Sequence, residues 1–493
     1  MEDTLNNEYL GRLQKLKQIR EQGGAPYPDS FDKQHAVAEI LQLPDGTTGL
    51  QTAGRLLTIR EMGKIIFCHL LDSTGRLQLV LKQDKLGKDS LKSFLKTFDP
   101  ADFIGVTGEL FTTNKGERSL LVGTYTLLGK AVRPLPEKWH GLKDQETLYR
   151  QRYLDLIANP GTMERFLFRS RLIKLLREFY WEHGFVEVET PVLVNTASGA
   201  LAKPFLTHHH ALDTDVYLRI APETYLKECI VGGFEKVFEV ARCFRNEGMD
   251  PSHLQDFTMV EHYAAYWNFE RNMDFTEELL AYLLQKLFGT LKLQLKNREG
   301  QATLVDFTPP WPRISFSAQI AKDCGIAIDD YPTAEELRKA IKAKKIIIPD
   351  VETLGRGNLI DSLFKTISRT GIIAPTFLTH HPIDVSPLAR RNDANPAVVD
   401  RFQLLINSWE IVNAYSELVD PVDQRQRFER QAALKGKGDA EAHGKDDEFV
   451  RALEHGAPPT SGWGMGVDRL VTLLTQQDNL RDVVLFPLLK PEQ

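Results

Sequence analysis

Residues 238 to 263 read FEVARCFRNEGMDPSHLQDFTMVEHY and concentrate the side chains most able to do chemistry. Two alternating strand-like runs flank a loop rich in Gly, Asp, Pro and Ser, the pattern of a β-hairpin. Side chains alternate faces along a strand, so Glu239, Arg245 and Glu247 are expected on one face and Phe238, Val240 and Phe244 on the other. In the return run, Phe257, Met259, Glu261 and Tyr263 share a face. One side of the hairpin thus combines an arginine, several carboxylates and an aromatic ring. Such a set is costly to bury unless it meets a charged ligand or pairs internally.

Other segments carry related chemistry. GFVEVETPVL (184–193) reads as a strand ending at Pro191. SGWGMGVDRLVTLLT (461–475) sets Gly464 and Gly466 just before Asp468, Arg469 and an apolar helical run. Glycines permit close backbone approach, and a helix N-terminus favours anions. Asn413, Tyr415 and Glu417 alternate with period two and therefore share a strand face. His208, His209 and His210 are consecutive, so on a strand they point to opposite faces and do not form a ligand trio. The four cysteines (Cys68, Cys229, Cys243 and Cys324) include no CxxC pair, which argues against zinc and against a disulfide framework.

The elements that must position these residues follow from periodicity. Leu10, Leu13, Leu16 and Ile19 lie among basic residues, an amphipathic helix over about 5–22 that APYPDSF then breaks, so 1–48 reads as helix and connector. Over 49–132 short strands alternate with turns at MGK, STG and NKG, which suggests an OB-fold barrel. Phe67 and His69 lie opposite in parity to Cys68 and Leu70, so Phe67 is a candidate base-stacking platform on the outer face. A Pro-interrupted linker is expected over 133–159, beginning RPLPEKWHGL, and a long helix over 160–183. Strands and helices then alternate to the C-terminus, with a helical insertion around 313–375 and a polar, charged stretch at 435–448. The chain has 493 residues, 42% hydrophobic, with a formal net charge of -6, enough for more than one core. No apolar run approaches the ~18 residues of a membrane span, and the start MEDTLNNEYL lacks signal or transit character, so a soluble cytoplasmic protein with no membrane partner is expected.

The strand ending at Pro191, the hairpin and the glycine-rich segment, in this order, resemble motifs 1, 2 and 3 of the class II aminoacyl-tRNA synthetases. A barrel preceding the catalytic domain is similar to subclass IIb. Within it RPLPEKWHGLKDQETLYRQRYLDLI, APETYLK, VGGFEKVFEVARCFRNEG, HPIDVSPLARR, NAYSELVDPVDQRQRF and RDVVLFP resemble the lysine enzymes. The resemblance implies an α+β catalytic domain over 160–493, built on an antiparallel sheet flanked by helices. It also implies ATP-dependent ligation of lysine to tRNA(Lys) for translation, through a lysyl-adenylate. Aspartate or asparagine ligation on the same architecture, or a catalytically silent RNA-binding homologue, are the alternatives.

Residue by residue, the resemblance implies that Arg245 bridges the lysine carboxylate and the α-phosphate, and that Arg469 closes the other side of ATP. Glu247 would read the adenine amino group, Phe257 would stack on the base, and His253 would lie near the outer phosphates. Gly199, Glu223, Glu261, Tyr263, Asn413, Tyr415 and Glu417 would form the lysine pocket, where several carboxylates suit a desolvated ammonium. Magnesium is implied with ATP, held by Glu410, while the partner position is Gln403 instead of the glutamate expected of the family. Trp463 is bulkier than the aliphatic residue expected. Arg60, Phe67, Gln78 and Glu117 fall where the family reads the anticodon, so tRNA and no DNA is the implied partner. A homodimer built around motif 1, with Pro191 near its interface, is also implied.

Overall fold

The computed structural model describes residues 2–135, 144–200, 202–248, 250–296, 300–386, 388–435 and 446–491, without the side chains of 2–5 and 430–435. Part of the expected linker and most of the polar stretch at 435–448 lie outside the described residues. The chain forms two compact units, Met1–Met163 and Glu164–Gln493.

In the first unit, β1 (Leu50–Met62), β2 (Ile65–Asp72), β3 (Gly75–Lys82), β4 (Phe103–Thr112) and β5 (Arg118–Gly129) close into a barrel in the order β1-β2-β3-β5-β4. Alternation explains its inside: Ile66, Cys68 and Leu70 of β2 are buried, whereas Phe67 and His69 face outward. The helix Lys88–Thr97 covers the core with Phe94, whose ring stacks on Phe98 at 4.7 Å. The N-terminal helix Glu2–Glu21 uses two of its basic residues internally, while Lys17 and Arg20 are exposed. Arg12 is buried and donates to the carbonyl of Pro100 at 2.8 Å, and Lys15 pairs with Asp99 at 2.6 Å.

In the second unit, the helix Pro160–Glu182 buries Leu172, Leu176, Phe179 and Tyr180, and it ends before Gly184, whose φ of 75° needs glycine. The strands that follow are β6 (Val186–Glu187), β7 (Leu193–Val194), β8 (Phe205–His209), β9 (Thr214–Leu218), β10 (Lys236–Phe244), β11 (Asp256–Ala265), β12 (Lys292–Lys296), β13 (Ala302–Asp306), β14 (Arg313–Ser315), β15 (Thr376–Thr379), β16 (Arg401–Ile406), β17 (Trp409–Ser416) and β18 (Thr460–Gly466). Eight of them form one sheet in the order β14-β15-β16-β17-β18-β11-β10-β6. It is antiparallel except at its two edges, where β14 runs parallel to β15 and β6 parallel to β10. This is the α+β architecture expected, a large sheet with helices, preceded by a barrel.

A parallel pair requires a crossover, which locates the helical segment. The helices Phe316–Cys324, Ala334–Ala343 and Arg356–Ile367 connect β14 to β15 and bury Phe316, Leu337, Ile341, Leu359 and Leu363 in a core of their own. One face of the sheet packs Phe238, Val260, Trp463 and Met465 against the helices Pro160–Glu182 and Phe269–Phe288. Trp463 fits because its Nε1 donates to Thr276 Oγ1 at 2.8 Å and its ring stacks on His262 at 5.0 Å. Its bulk is directed into this layer. The opposite face carries the charged residues.

Candidate active site

The site is built on three neighbouring strands. Across β11, β18 and β17, Gly462 lies between Tyr263 and Tyr415, and Gly464 lies between Glu261 and Asn413. Directly opposed residues share a face, so the two glycines leave bare backbone as a floor between two rows of side chains. A methyl group on Gly462 would lie 2.3 Å from Glu417 Oε1 and 2.4 Å from Tyr263 Cε1. The cavity above this floor measures about 360 Å3.

Most residues expected from the sequence line that cavity. Arg245, Glu247, His253, Phe257, Glu410 and Arg469 do, as do Gly199, Glu223, Glu261, Tyr263, Asn413 and Tyr415. Glu417 does not line the cavity itself but is buried at 3% exposure, with its Oε1 on the side of Gly462 that a side chain would occupy. Gln403 does not line the cavity, and its Oε1 accepts from His381 Nε2 at 3.1 Å. Glu239, grouped with Arg245 by strand parity, is also withdrawn. It pairs with Arg219 at 2.6 Å and accepts from Thr190 Oγ1 at 2.6 Å, so this part of the hairpin face is an internal ion pair.

Strand pairing in the hairpin ends at Phe244 and Asp256, so Arg245 and Glu247 sit in the loop beyond the strand. The Arg245 N–H still bonds to the Gln255 carbonyl at 2.8 Å, which fixes where its side chain leaves the backbone. The guanidinium stands 5.0 Å from the centre of the Phe257 ring, and its Nε is buried with no hydrogen-bond partner. Exposed His253 contacts Asp250 Oδ2 through Nδ1 at 2.7 Å. Arg469 lies in the first turn of the helix Val467–Leu474 and donates to the Glu410 carbonyl at 3.2 Å. Asp468 beside it pairs with Arg169 and accepts the Thr258 N–H at 2.8 Å, locking that helix to β11. Burial would raise the Glu410 carboxyl, but Arg469, Arg369, Arg401 and Lys365 outweigh it and hold the group below its usual range. This part of the cavity is a cationic frame around one ionised carboxylate, suited to an anionic ligand.

The other part is anionic. Glu223 opens the helix Glu223–Val231 and accepts from the Tyr415 hydroxyl at 2.7 Å. One turn later Lys227 donates to Glu223 Oε1 at 2.5 Å and pairs with Glu417 Oε2. Glu261 Oε2 is buried with no hydrogen-bond partner among the described residues. Burial, with the Glu223 charge adding, raises the Glu261 and Glu417 carboxyls, against the opposing pull of Lys227. Gly199 has φ +91° and would bring a methyl group to 2.9 Å from Glu223 Cβ, so only glycine fits beside this wall. Asn413 is oriented by Arg401, whose Nε donates to Asn413 Oδ1 at 2.8 Å. Sequence reasoning missed Lys227, Arg401 and the steric role of Gly462. The i, i+4 spacing of Glu223 and Lys227 in APETYLK was the available signal for the first.

On the barrel, Arg60 is paired across strands with Phe67, and His69 with Gln78. Gln78 Nε2 donates to Glu117 Oε2 at 2.7 Å, and Ser119 Oγ donates to Gln78 Oε1 at 2.8 Å. His69 joins the group through Glu117 at 3.3 Å. The four barrel residues expected from the sequence therefore form one outward-facing cluster.

Comparison with known proteins agrees with both units. A family model described as tRNA synthetases class II (D, K and N) matches residues 144–490, and one described as OB-fold nucleic acid binding domain matches 50–128. The lysine–tRNA ligase of Carboxydothermus hydrogenoformans is 45% identical over 491 residues, covering 99% of this chain and 99% of the relative. That of Moorella thermoacetica is 46% identical, covering 98% of this chain and 97% of the relative. That of Thermotoga maritima is 44% identical, covering 98% and 96%. With a cationic frame and an anionic pocket on one sheet face and a barrel before them, the chain belongs to the class II tRNA synthetases of the aspartate, lysine and asparagine group.

Proposed function

We infer that this protein is a lysine–tRNA ligase, which activates L-lysine with ATP and transfers it to the 3′-hydroxyl of tRNA(Lys). The carrying observation is the buried, unpartnered Glu261 oxygen beside Glu223 and Glu417. A desolvated carboxylate without a partner is costly, and a substrate ammonium removes that cost. An aspartate side chain in the same place would add a further anion, and asparagine would leave the carboxylates uncompensated. The names of the relatives agree with this choice.

Lysine fits with its ammonium toward Glu261, Glu223 and Glu417, between the rings of Tyr263 and Tyr415, with Gly199 and Asn413 completing the pocket. Its carboxylate then attacks the α-phosphate of ATP, forming the lysyl-adenylate and releasing pyrophosphate. Arg245, whose Nε has no internal partner, meets the charge that grows at phosphorus, a contact worth about 3–4 kcal/mol on the scale of one oxyanion-hole donor. Phe257 and Arg469 hold the nucleotide from two sides, Glu247 reads the adenine amino group, and His253 faces the outer phosphates. The tRNA hydroxyl then attacks the adenylate carbonyl. No protein nucleophile is needed, so catalysis is positioning and charge stabilisation.

Magnesium neutralises phosphate charge when it accompanies the nucleotide. Glu410, ionised and lining the cavity, fits such an ion, which binds through one or two carboxylates plus phosphate oxygens. Gln403 offers only a neutral amide already engaged by His381, so Glu410 carries the protein's share. Arg60, Phe67, Gln78 and Glu117 read the anticodon, with Phe67 stacking a base. A homodimer around Pro191 is supported by exposed Leu193 and Leu206 nearby in the chain and by exposed Trp181. Cytoplasmic residence fits translation, and among the described residues no helix is long and apolar enough to cross a membrane.

The test is ATP–pyrophosphate exchange with lysine, aspartate and asparagine in turn, followed by aminoacylation of tRNA(Lys). Lysine alone should support exchange. Exchange with either other amino acid, and not with lysine, overturns the assignment.

A further inference from the structure

A cation is buried against the carboxylates at the anionic end of the cavity. Lys227 is buried at 5% exposure and bridges Glu223, at 2.5 Å, and Glu417. Its ammonium also lies 5.8 Å from the ring centres of both Tyr263 and Tyr415 and 5.5 Å from that of Phe449. The groups facing it from each packed element are therefore Glu223 on its own helix, Glu417 after β17, Tyr415 on β17, and Tyr263 on β11. Phe449, on the helix Asp447–Glu454, completes its surroundings. Glu261 acts on the same charge from β11, and Arg245 opposes Glu261 from the hairpin loop.

We propose that Lys227 is a resident counter-ion that pairs with and aligns the carboxylates of the amino-acid pocket, and thereby makes the pocket select a cationic side chain. This rests on the reading of the pocket as a lysine site. Three carboxylates gathered in a buried space repel one another, and without a cation they take up protons. A protonated carboxyl is a weak partner for an ammonium and no longer penalises a neutral ligand. Lys227 works against that by taking one oxygen of Glu223 and one of Glu417 from the side, which leaves Glu261 Oε2 unpartnered for the incoming ammonium. Lys227 keeps its own proton because Glu223 and Glu417 outweigh the burial that would strip it. It touches no reacting atom and is a positioning residue. The two tyrosine rings screen both ammonium groups, since a ring face attracts a cation.

The opposite arrangement is also definable. If Lys227 were a plug that lysine must displace, removing it would improve lysine binding. Lys227→Met, close in length and uncharged, separates the two. It is compared with wild type by ATP–pyrophosphate exchange, using lysine and norleucine, over pH 6 to 9. A resident counter-ion predicts that the KM for lysine rises about tenfold or more at pH 7, on the scale of one charge-assisted hydrogen bond. The KM for ATP stays unchanged, the preference for lysine over norleucine falls, and the rise of kcat/KM for lysine moves to higher pH. The last two shifts would not accompany a merely structural role. A lysine KM that is unchanged or lowered in a folded Lys227→Met overturns the proposal. Should that variant not fold, a crystal structure of wild type with lysine bound decides. Lys227 still on Glu223 and Glu417 supports the proposal, and Lys227 displaced from both overturns it. Absence of lysine-dependent exchange in wild type would instead refute the functional reading, so the two failures are distinguishable.

Discussion

The floor of the pocket allows a graded steric test at Gly462. Its backbone is outside the left-handed region, so Gly462→Ala adds a methyl group without backbone strain. That methyl would lie 2.3 Å from Glu417 Oε1, 2.4 Å from Tyr263 Cε1 and 3.0 Å from Tyr263 Cδ1. Ordinary contacts begin near 3.5 Å, so both neighbours must yield by about 1 Å. Tyr263 is buried at 3% and the Glu417 carboxylate is held by Lys227, so neither has free space. Overpacking of this kind costs about 1–3 kcal/mol of stability. A displaced Glu417 forfeits one charge-assisted contact to substrate, about 1.5–3 kcal/mol, or roughly 10- to 150-fold in the KM for lysine. Gly464→Ala on the same strand is the internal control, because its methyl would come no closer than 3.3 Å, to the flexible Met259 Cε. It should raise the lysine KM by no more than about threefold. Exchange kinetics on the two folded variants, with ATP as the second varied substrate, read the effect. Equal lysine KM values for both, or a Gly462→Ala defect confined to ATP, would refute the placement of the pocket.

Three further outcomes are expected. Phe67→Ala should lower aminoacylation by roughly tenfold, the scale of one lost base stack, while exchange without tRNA is spared; equal loss in both assays removes the barrel face from tRNA reading. Glu410→Gln should raise the magnesium concentration for half-maximal exchange by about tenfold or more by removing an ionised carboxylate that lines the cavity, and an unchanged requirement contradicts a metal site there. His262 is held neutral by burial, its pKa pushed down to about 3, between Tyr180 at 2.8 Å and Asn272 at 2.9 Å. The unfolded chain binds that proton near pH 6.5 and the folded one does not, so stability is complete above ~6.5 and declines as pH falls toward 3, by roughly 2 kcal/mol between pH 6.5 and 5. Urea midpoints at pH 7.5, 6 and 5 should fall accordingly. His262→Gln should flatten that slope, and an equal slope in the variant would discount this histidine.

Local pattern made much of this legible. Period two in β2 separated Cys68 and Leu70 from Phe67 and His69, and in the hairpin it put Phe257, Met259, Glu261 and Tyr263 on the site face. It misled at Glu239, because parity specifies a face and not a partner, and Arg219, the residue after β9, arrives through a long-range contact. Parity also carried Arg245 and Glu247 along a strand that ends one residue earlier, at Phe244. Lys227 was missed for a different reason, although its i, i+4 spacing from Glu223 hinted at a pair. A lysine in a helix reads as a solvated face, and only the meeting of that helix with the end of β17 shows it buried among carboxylates.

The helical crossover between β14 and β15 has an electrostatic reach. Its two ends leave adjacent strands, which lie about 4.8 Å apart, so in purely geometric terms another crossover could close the same gap. Yet Lys365 and Arg369 belong to this segment, and they are two of the four cations that keep Glu410 ionised. A transplanted connection lacking them would leave the sheet paired and still weaken the positive field around Glu410. The segment is thus both a span and a fixed source of positive potential.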